Sequence, residues 1–563
     1  QVPGAVYAEV RSAPTDGPDQ RSGPGGAVES AEAFYPRLSE DSDLAPLICA
    51  LAVFSVPFSL DDASHLVATT AEQLAPNLDT LVRRGHLTCA SARGGPVYAF
   101  RNELLRAAAL SRIGSRSLVR LHERAGDAIA SAWIDADACT LEAASRARAG
   151  AAHHEQAGLF SEARLSAMRA GRSFAVLERP ADAEAMFAKA LSLLQRDAKN
   201  TDPKAELEIR IQLVRALHRR DRRSDRQVVS LLVRCQTLIG RLQGGHSGYE
   251  IEVLASLSEV MRERGNFARG EDALLQMKAI DCPAEYPVDA IILGSEVLHA
   301  WNRGELGEVL EAWRRLSGTQ IQLPHRHGTP VQEVQRLAYR RVCLASAHVA
   351  LAQSVQMNKD GAQQASDTAI RLIGQMQEPL NECRVLILSA IAAMWAGQNT
   401  SAVSLAMAAR SIAQRFDLPV REAMSSALLA ACRSEQDVAR SIPMLDASVA
   451  VLKEYKSNVN LVLINYLHAR ALCRARRWSE AQIAIKSAIK ATQSTSFIAF
   501  LAELERQEVV IALEAGIRAK PQSATRLRRA MSRARDQNAL LFVSRIAETA
   551  AHYDIDIAPK STN

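Results

Sequence analysis

GRSFAVLERPADAEAMFAKA, residues 171–190, is the stretch that decides the fold. Gly171 and Phe174 fall one helical turn apart, and Ala183, Phe187 and Ala190 come next at steps of four and three. Such spacing puts each set on one face of a helix. Small residues let two helices cross closely, while the aromatic side chain wedges into the gap between layers. The unit is a helix pair that needs a neighbour to cover its apolar face.

The same texture runs outward from this unit. Val459, Val462, Leu463, Tyr466, Ala469 and Cys473 share one helical face, and Trp478, Ala481, Ile485, Ala488 and Thr492 form the partner face. Turn-like breaks return at Gly265-Asn266, Asn302-Arg303-Gly304, Gly397-Gln398, Ser434-Glu435-Gln436, Arg476-Arg477 and Gly516. Successive steps are roughly 40 residues, the period of stacked helix pairs. The longer step between Gly304 and Gly397 predicts one more break near Asn358-Lys359.

Composition agrees. A chain of 563 residues is too long for one compact core. Hydrophobic residues make up 48% but aromatics only 5%, and the abundance of Ala, Leu, Arg and Glu favours helix over sheet. A net charge of +6 over this length does not argue for nucleic acid. Nine cysteines lie scattered without a Cys-x-x-Cys, which excludes a disulfide framework or structural zinc and points to a reducing, cytoplasmic compartment. The most apolar stretch, Val385 to Gly397, falls short of a membrane span and reads as a buried helix. No secretory leader is visible, and a first residue of Gln1 rather than Met marks a piece of something longer.

Residues 1–33, rich in Pro and Gly, read as a disordered linker. Residues 34–135 differ in texture from the rest of the chain. Ala45 to Val56 is an apolar helix closed by Pro57, and Ser59-Leu60-Asp61-Asp62 offers a helix cap with acids in the first turn. Ala71 to Arg84 carries Leu74, Leu78, Leu81 and Val82 on one face and stops at Gly85. His86 to Cys89 and Val97 to Phe100 flank Arg93-Gly94-Gly95-Pro96 as a hairpin, and further helices start at Glu103 and Arg116. Three helices and then a hairpin is the order of a winged helix. If it touches DNA, Arg83 and Arg84 are the candidates. They sit at the wrong end of the third helix, behind Glu72 and Asp79, so a protein-packing role is the expectation.

The 171–190 unit resembles a tetratricopeptide repeat. Ala163, Ala167 and Ala170 after Gly158-Leu159-Phe160, and Ala481, Ile485 and Ala488 after Trp478, match it less fully. A second resemblance covers nearly the whole ordered chain. It rests on Ala52-Val53-Phe54, Leu78 to Leu87, Tyr98 to Arg106, Arg120 to Arg124 and Ala152 to Gly158, in that order. The succession is similar to the region C-terminal to the ATPase module in bacterial signal-transduction ATPases of the STAND class. The fold thus implied is all-α: an α-α superhelix of tetratricopeptide-like repeats over 136–563, preceded by the small winged-helix domain. The function implied is that of a sensor arm, with a protein, peptide or small effector in its groove and an upstream ATPase or effector domain of the same polypeptide as partner. A free-standing scaffold and a DNA-binding regulator are the alternatives.

The chain departs from that family in two ways. It has no Gly-x-x-x-x-Gly-Lys-Ser/Thr and no Gly-Lys at all, so it cannot itself be the ATPase. Asn102 also stands where relatives commonly have a histidine that in some members touches nucleotide; read from its residue type, it is a helix cap ahead of Glu103.

No other constellation carries chemistry. His153-His154 reads as helix packing, and His325 and His327 lack a third metal ligand. Arg219-Arg220-Asp221-Arg222-Arg223 with Arg226, and Arg526, Arg528, Arg529, Arg533 and Arg535, read as solvated basic faces with local salt bridges. No hydrolase or metalloprotease motif occurs, so a non-enzyme without cofactor, metal or membrane contact is expected. The groove residues cannot be named from the sequence.

Overall fold

The computed structural model describes residues 43–558, apart from 93–94, 132–139, 198–201, 223–225, 243–246, 284, 320–322, 325–328, 434–436, 496 and 518. Among the described residues the chain is all-α save for one small sheet, and it divides into two compact units, Gln1–Thr201 and Asp202–Asn563. The expected linker at 1–33, the His325/His327 pair and the break at 434–436 lie outside the described residues.

The first unit opens with α1 (Ala45–Leu51), which ends several residues before Pro57. Phe54 and Phe58 then stack at 4.7 Å in the core. β1 (Phe58–Ser59) is a strand the sequence did not betray; two residues are too few to show alternation. It pairs antiparallel with β3 (Gly95–Phe100), which also pairs with β2 (Leu87–Ala92), giving the order β1-β3-β2. Between them come α2 (Leu60–Val67) and α3 (Ala71–Arg83). The expected cap is a reciprocal box: the Asp62 amide donates to Ser59 Oγ (3.1 Å) and the Ser59 amide to Asp62 Oδ2 (2.8 Å). Leu74, Leu78 and Leu81 of α3 are buried, as their spacing predicts.

α4 (Glu103–Ser111) and α5 (Ser115–Ser131) lead into α6 (Leu141–Gln156), α7 (Phe160–Val176) and α8 (Pro180–Arg196). These last three pack successively, and the unit ends after α8, well beyond the change of texture at 135. Arg146 of α6 explains part of that continuity. It grips the buried Asp62 carboxylate of α2 with two bonds of 2.8 and 2.6 Å. In the 171–190 unit, Phe174, Ala183, Phe187 and Ala190 are wholly buried. A β-carbon at Gly171 would lie 2.5 Å from the Phe187 ring. Gly171→Ala is therefore expected to overpack the α7–α8 crossing and to cost about 1–3 kcal/mol, measured by denaturant unfolding, where an unchanged midpoint would contradict the packing.

The second unit is built of successive pairs. Its helices are α9 (Pro203–Arg219), α10 (Arg226–Ile239), α11 (Ser247–Glu263), α12 (Phe267–Lys278), α13 (Val288–Arg303) and α14 (Leu306–Ser317). Next come α15 (Pro330–Val355), α16 (Lys359–Gly374), α17 (Pro379–Trp395), α18 (Asn399–Arg415), α19 (Pro419–Arg433) and α20 (Val438–Glu454). The last are α21 (Asn458–Arg474), α22 (Trp478–Thr495), α23 (Leu501–Glu514), α24 (Lys520–Asp536) and α25 (Leu540–His552). The extra break falls where the long step required it: Asn358 caps α16, accepting from the Gly361 amide at 3.1 Å.

The two helices of a pair differ. The second of each, such as α18 with Ala402, Ala406, Ala409 and Ala413, buries one stripe and leaves the rest to solvent. The first is buried around most of its circumference: α13, α15 and α17 hide nearly every side chain, and α17 contains most of the apolar 385–397 stretch. No described helix is long and apolar enough to cross a membrane. These inner helices also pack on one another, α13 on α15, α15 on α17, and α11 directly on α15.

Candidate functional site

Inner helices buried all round would ordinarily be apolar all round. Those of the second unit carry charge instead. Arg341, in the middle of α15, is 2% exposed, and Glu259 of α11 is 4% exposed. One carboxylate oxygen of Glu259 lies 3.0 Å from Arg341 Nη2, and the other accepts from Arg384 Nη1 of α17 at 2.8 Å. Arg341 also donates to the Ala255 carbonyl (3.0 Å), and Arg384 reaches Glu263 at 3.5 Å. Burial, reinforced by the cations Arg262 and Arg384, depresses the Arg341 guanidinium against the pull of Glu259.

The network continues on both sides. Glu378, at the start of α17, takes Arg336 and Arg340 of α15 at 3.0 Å each and the Asn381 amide at 2.7 Å. Burial alone would push its carboxyl up, but Arg340, Arg336 and Arg219 hold it below the usual range. Arg215 of α9 grips Glu252 of α11 with two bonds of 2.6 Å. Asp221, just past α9, is buried and held by two bonds of 2.9 and 2.7 Å from Arg421 of α19. Five inner helices thus converge on one ionic face.

Among the described residues of the basic run at 219–226, Arg219 and Arg226 are exposed and Asp221 is the one that departs from the reading as a solvated linker. Asp221 is its buried anchor, and Arg219 stays open to water although the protein around it depresses its pKa, against Glu378 and Glu333. The run at 526–535 is tied down as well. Arg526 pairs with Glu508, and Arg529 and Arg533 pair with Glu505, both acids being buried on α23. Separations of 125 and 200 residues hid the long-range pairs from the sequence. Their one local signal is charge at the head of an apolar run, as Arg341 stands before Val342 to Ala345 and Arg384 before Val385 to Leu388.

The remaining candidates have plain placements. Asn102 caps α4, its Oδ1 accepting from the Leu104 amide at 2.8 Å. Arg83 is exposed and donates to Thr80 Oγ1 (3.0 Å), while Arg84 forms the C-cap of α3. His153 and His154 are both buried but point to different partners. His153 Nδ1 lies 3.0 Å from His122 Nδ1, and His154 Nε2 lies 3.3 Å from Asp127. No group of three metal-ligating side chains occurs among the described residues. Ser258 Oγ and His299 Nε2 lie 3.1 Å apart, a pairing of nucleophile and base types. Burial, with Arg262, Arg303 and Arg341 nearby, lowers His299 to about 3. A base so weak has little affinity for a serine proton near neutrality, and both residues are almost inaccessible.

No family model and no curated protein matches the chain. Among solved structures, a STAND protein with a tetratricopeptide repeat sensor from Pyrococcus horikoshii aligns at 12% identity over 93% of this chain and 67% of that one, with a TM-score of 0.39. A Rap protein complexed with competence and sporulation factor aligns at 10% identity over 62% of this chain and 98% of that one, with a TM-score of 0.40. The Cut9-Hcn1 hetero-tetramer of APC/C aligns at 11% identity over 87% and 98%, with a TM-score of 0.31.

Proposed function

We propose that the chain is the sensor arm of a STAND-type regulator, in which the second unit binds a protein, peptide or small effector and transmits that event to an ATPase segment of the same polypeptide. The observation that carries the binding half is the ionic face itself. Inner helices that need only pack would be apolar, and replacing buried ion pairs by apolar side chains is often neutral or stabilising. A face of Arg215, Arg219, Arg340, Glu333 and Glu378, partly open to water, supports recognition of a polar partner. The first unit fits the winged-helix place in this scheme by its order of three helices, then hairpin, then helix. Asn102 would then stand nearest nucleotide, although its carboxamide oxygen is committed to the α4 cap.

The test is association. Full chain mixed with the P-loop segment encoded beside it is expected to bind differently in the ADP and ATP states, read by gel filtration or calorimetry. No association in any nucleotide state would overturn the coupling and leave a scaffold that assembles partners without switching.

A further inference from the structure

Two turns of the second unit are pressed against residues from its far end. Gly265 comes just after α11 at φ +78° and Gly304 just after α13 at φ +70°. A β-carbon at Gly265 would fall 2.6 Å from Thr495 Cβ and closer still to its backbone. One at Gly304 would fall 2.9 Å from Gln537 Cδ and 3.4 Å from Ala499 Cα. Gly397 occupies the equivalent turn after α17 at the same φ of +78°, and nothing lies within 4 Å of its β-position. Glycine therefore serves conformation alone at 397, and both conformation and docking at 265 and 304.

What docks there is Thr495, the last residue of α22, against Gly265, and the segment 497–500 between α22 and α23, through Ala499, against Gly304. The Ile498 amide donates to the Asn302 carbonyl at the end of α13 (2.9 Å), and Gln537 Nε2 donates to the Ile498 carbonyl (3.2 Å). Phe500 stands edge-on to Trp301 of α13 (5.8 Å) and Trp395 of α17 (5.0 Å), with Phe497 behind it (5.1 Å). Phe542 of α25 closes on Trp395 at 6.1 Å. All five rings are buried. The packing of inner helix on inner helix is dense from α13 to α17 and thins between α21 and α23, while α23 stays packed on its neighbour α22. Beyond that seam α23 carries its own ion cluster, in which Glu503 is paired with Arg506 (2.8 Å) and Arg545 (3.2 Å). Tyr466 of α21 crosses the seam to donate to Glu503 (2.7 Å).

We infer that Thr495 and residues 497–500 with α23–α25 form a strap that opens as one body, below global unfolding, from the turns at 265 and 304. A segment with its own charge pairs, a thin seam toward α21 and an aromatic latch has the makings of a cooperative sub-unit. Glu259 and Glu263 lie in the last turns of α11, directly before Gly265, so release of the latch loosens the rim of the ionic face. The opening stands independently of the proposed function; only its use as a gate for a partner rests on that reading.

Hydrogen exchange of the full chain at increasing denaturant tests it. In the wild type, amides of 497–500 and α23–α25 are expected to exchange through an opening of smaller denaturant dependence than those of α15 and α17. Gly265→Ala and Phe500→Ala should each speed strap exchange at least tenfold and leave α15 and α17 unchanged. Gly397→Ala carries the same backbone strain without the collision and should leave the strap unchanged. Strap amides that exchange only with the whole unit, or equal acceleration by Gly265→Ala and Gly397→Ala, would overturn the strap. Phe500→Ala decides alone should Gly265→Ala not fold. A strap that opens as expected in a chain that never binds an ATPase segment would sink the proposed function and keep the strap.

Discussion

Glu259→Gln is expected to cost the second unit about 3–5 kcal/mol, among the largest effects any single substitution there will have. The change keeps the side chain's shape and removes only its charge. Arg341 would then keep the Ala255 carbonyl as a bond but lose its carboxylate, and Arg384 would keep Glu263 at 3.5 Å. Two guanidinium groups 2% and 6% exposed cannot recover the hydration that they gave up. The same substitution at the exposed pair of Arg477 and Glu480, Glu480→Gln, should leave the midpoint of denaturant unfolding unmoved, because water screens that pair. The contrast extends to repair. Replacing Glu259, Arg341 and Arg384 together by leucine and methionine should restore most of the stability, since an apolar core of equal volume has no unmet charge. If Glu259→Gln and Glu480→Gln unfold at the same urea concentration as the wild type, the pairing of Glu259 with Arg341 and Arg384 is not buried as described.

Acid should weaken the second unit well above the carboxylate range. His299 and His348 are both lowered to about 3, by burial first and then by Arg262, with Arg303 and Arg341 acting on His299 and Arg384 on His348. The Leu344 carbonyl, 2.7 Å from His348 Nδ1, opposes the shift without reversing it. An imidazole in the unfolded chain has a pKa of about 6.5. Above that pH both states are neutral and the contribution is complete. Below it the unfolded chain takes up protons that the folded unit refuses, so stability falls as pH drops from 6.5 toward 3. Each histidine contributes a slope of about 1.4 kcal/mol per pH unit, the pair about twice that. Depressed carboxylates act in the same sense but lower on the pH scale. Burial would raise Glu503, yet Arg506 and Arg545 hold it at about 2, and its contribution is lost only as pH falls below the ordinary glutamate value. Unfolding free energies between pH 7 and 5 isolate the histidines. His348→Gln should lower the slope there by about 1.4 kcal/mol per pH unit, and a flat profile over that interval would refute the assignment.

Much of the architecture was legible because helical periodicity is local. Ala481, Ile485, Ala488 and Thr492 share a face by spacing alone, and all four are buried. The break near Asn358 comes from repeat length, and the Ser59 cap from four consecutive residues. Where the reading failed, the missing information was not local. β1 is too short to show a pattern, and it exists because β3 offers it an edge. α1 stops at Leu51 because Phe54 turns to meet Phe58. The two arginine runs look purely solvated in a string of letters, and only the tertiary structure shows that Asp221 in the first is held by Arg421 of α19 and that Arg529 in the second, itself exposed, pairs with the buried Glu505 of α23.

By itself, then, the sequence determined the helices, their pairing and their outward faces, since each depends on residues three, four or about 40 positions apart. It could not determine what fills the inward face. That depends on how many pairs succeed one another before the stack meets itself, which sets residues as distant as Asp221 and Arg421, or Asn302 and Ile498, within hydrogen-bonding reach. Small rotations between successive pairs accumulate into that meeting, and no single pair encodes them. Charge on an inner helix therefore became a buried network only when the tertiary structure brought its partners round.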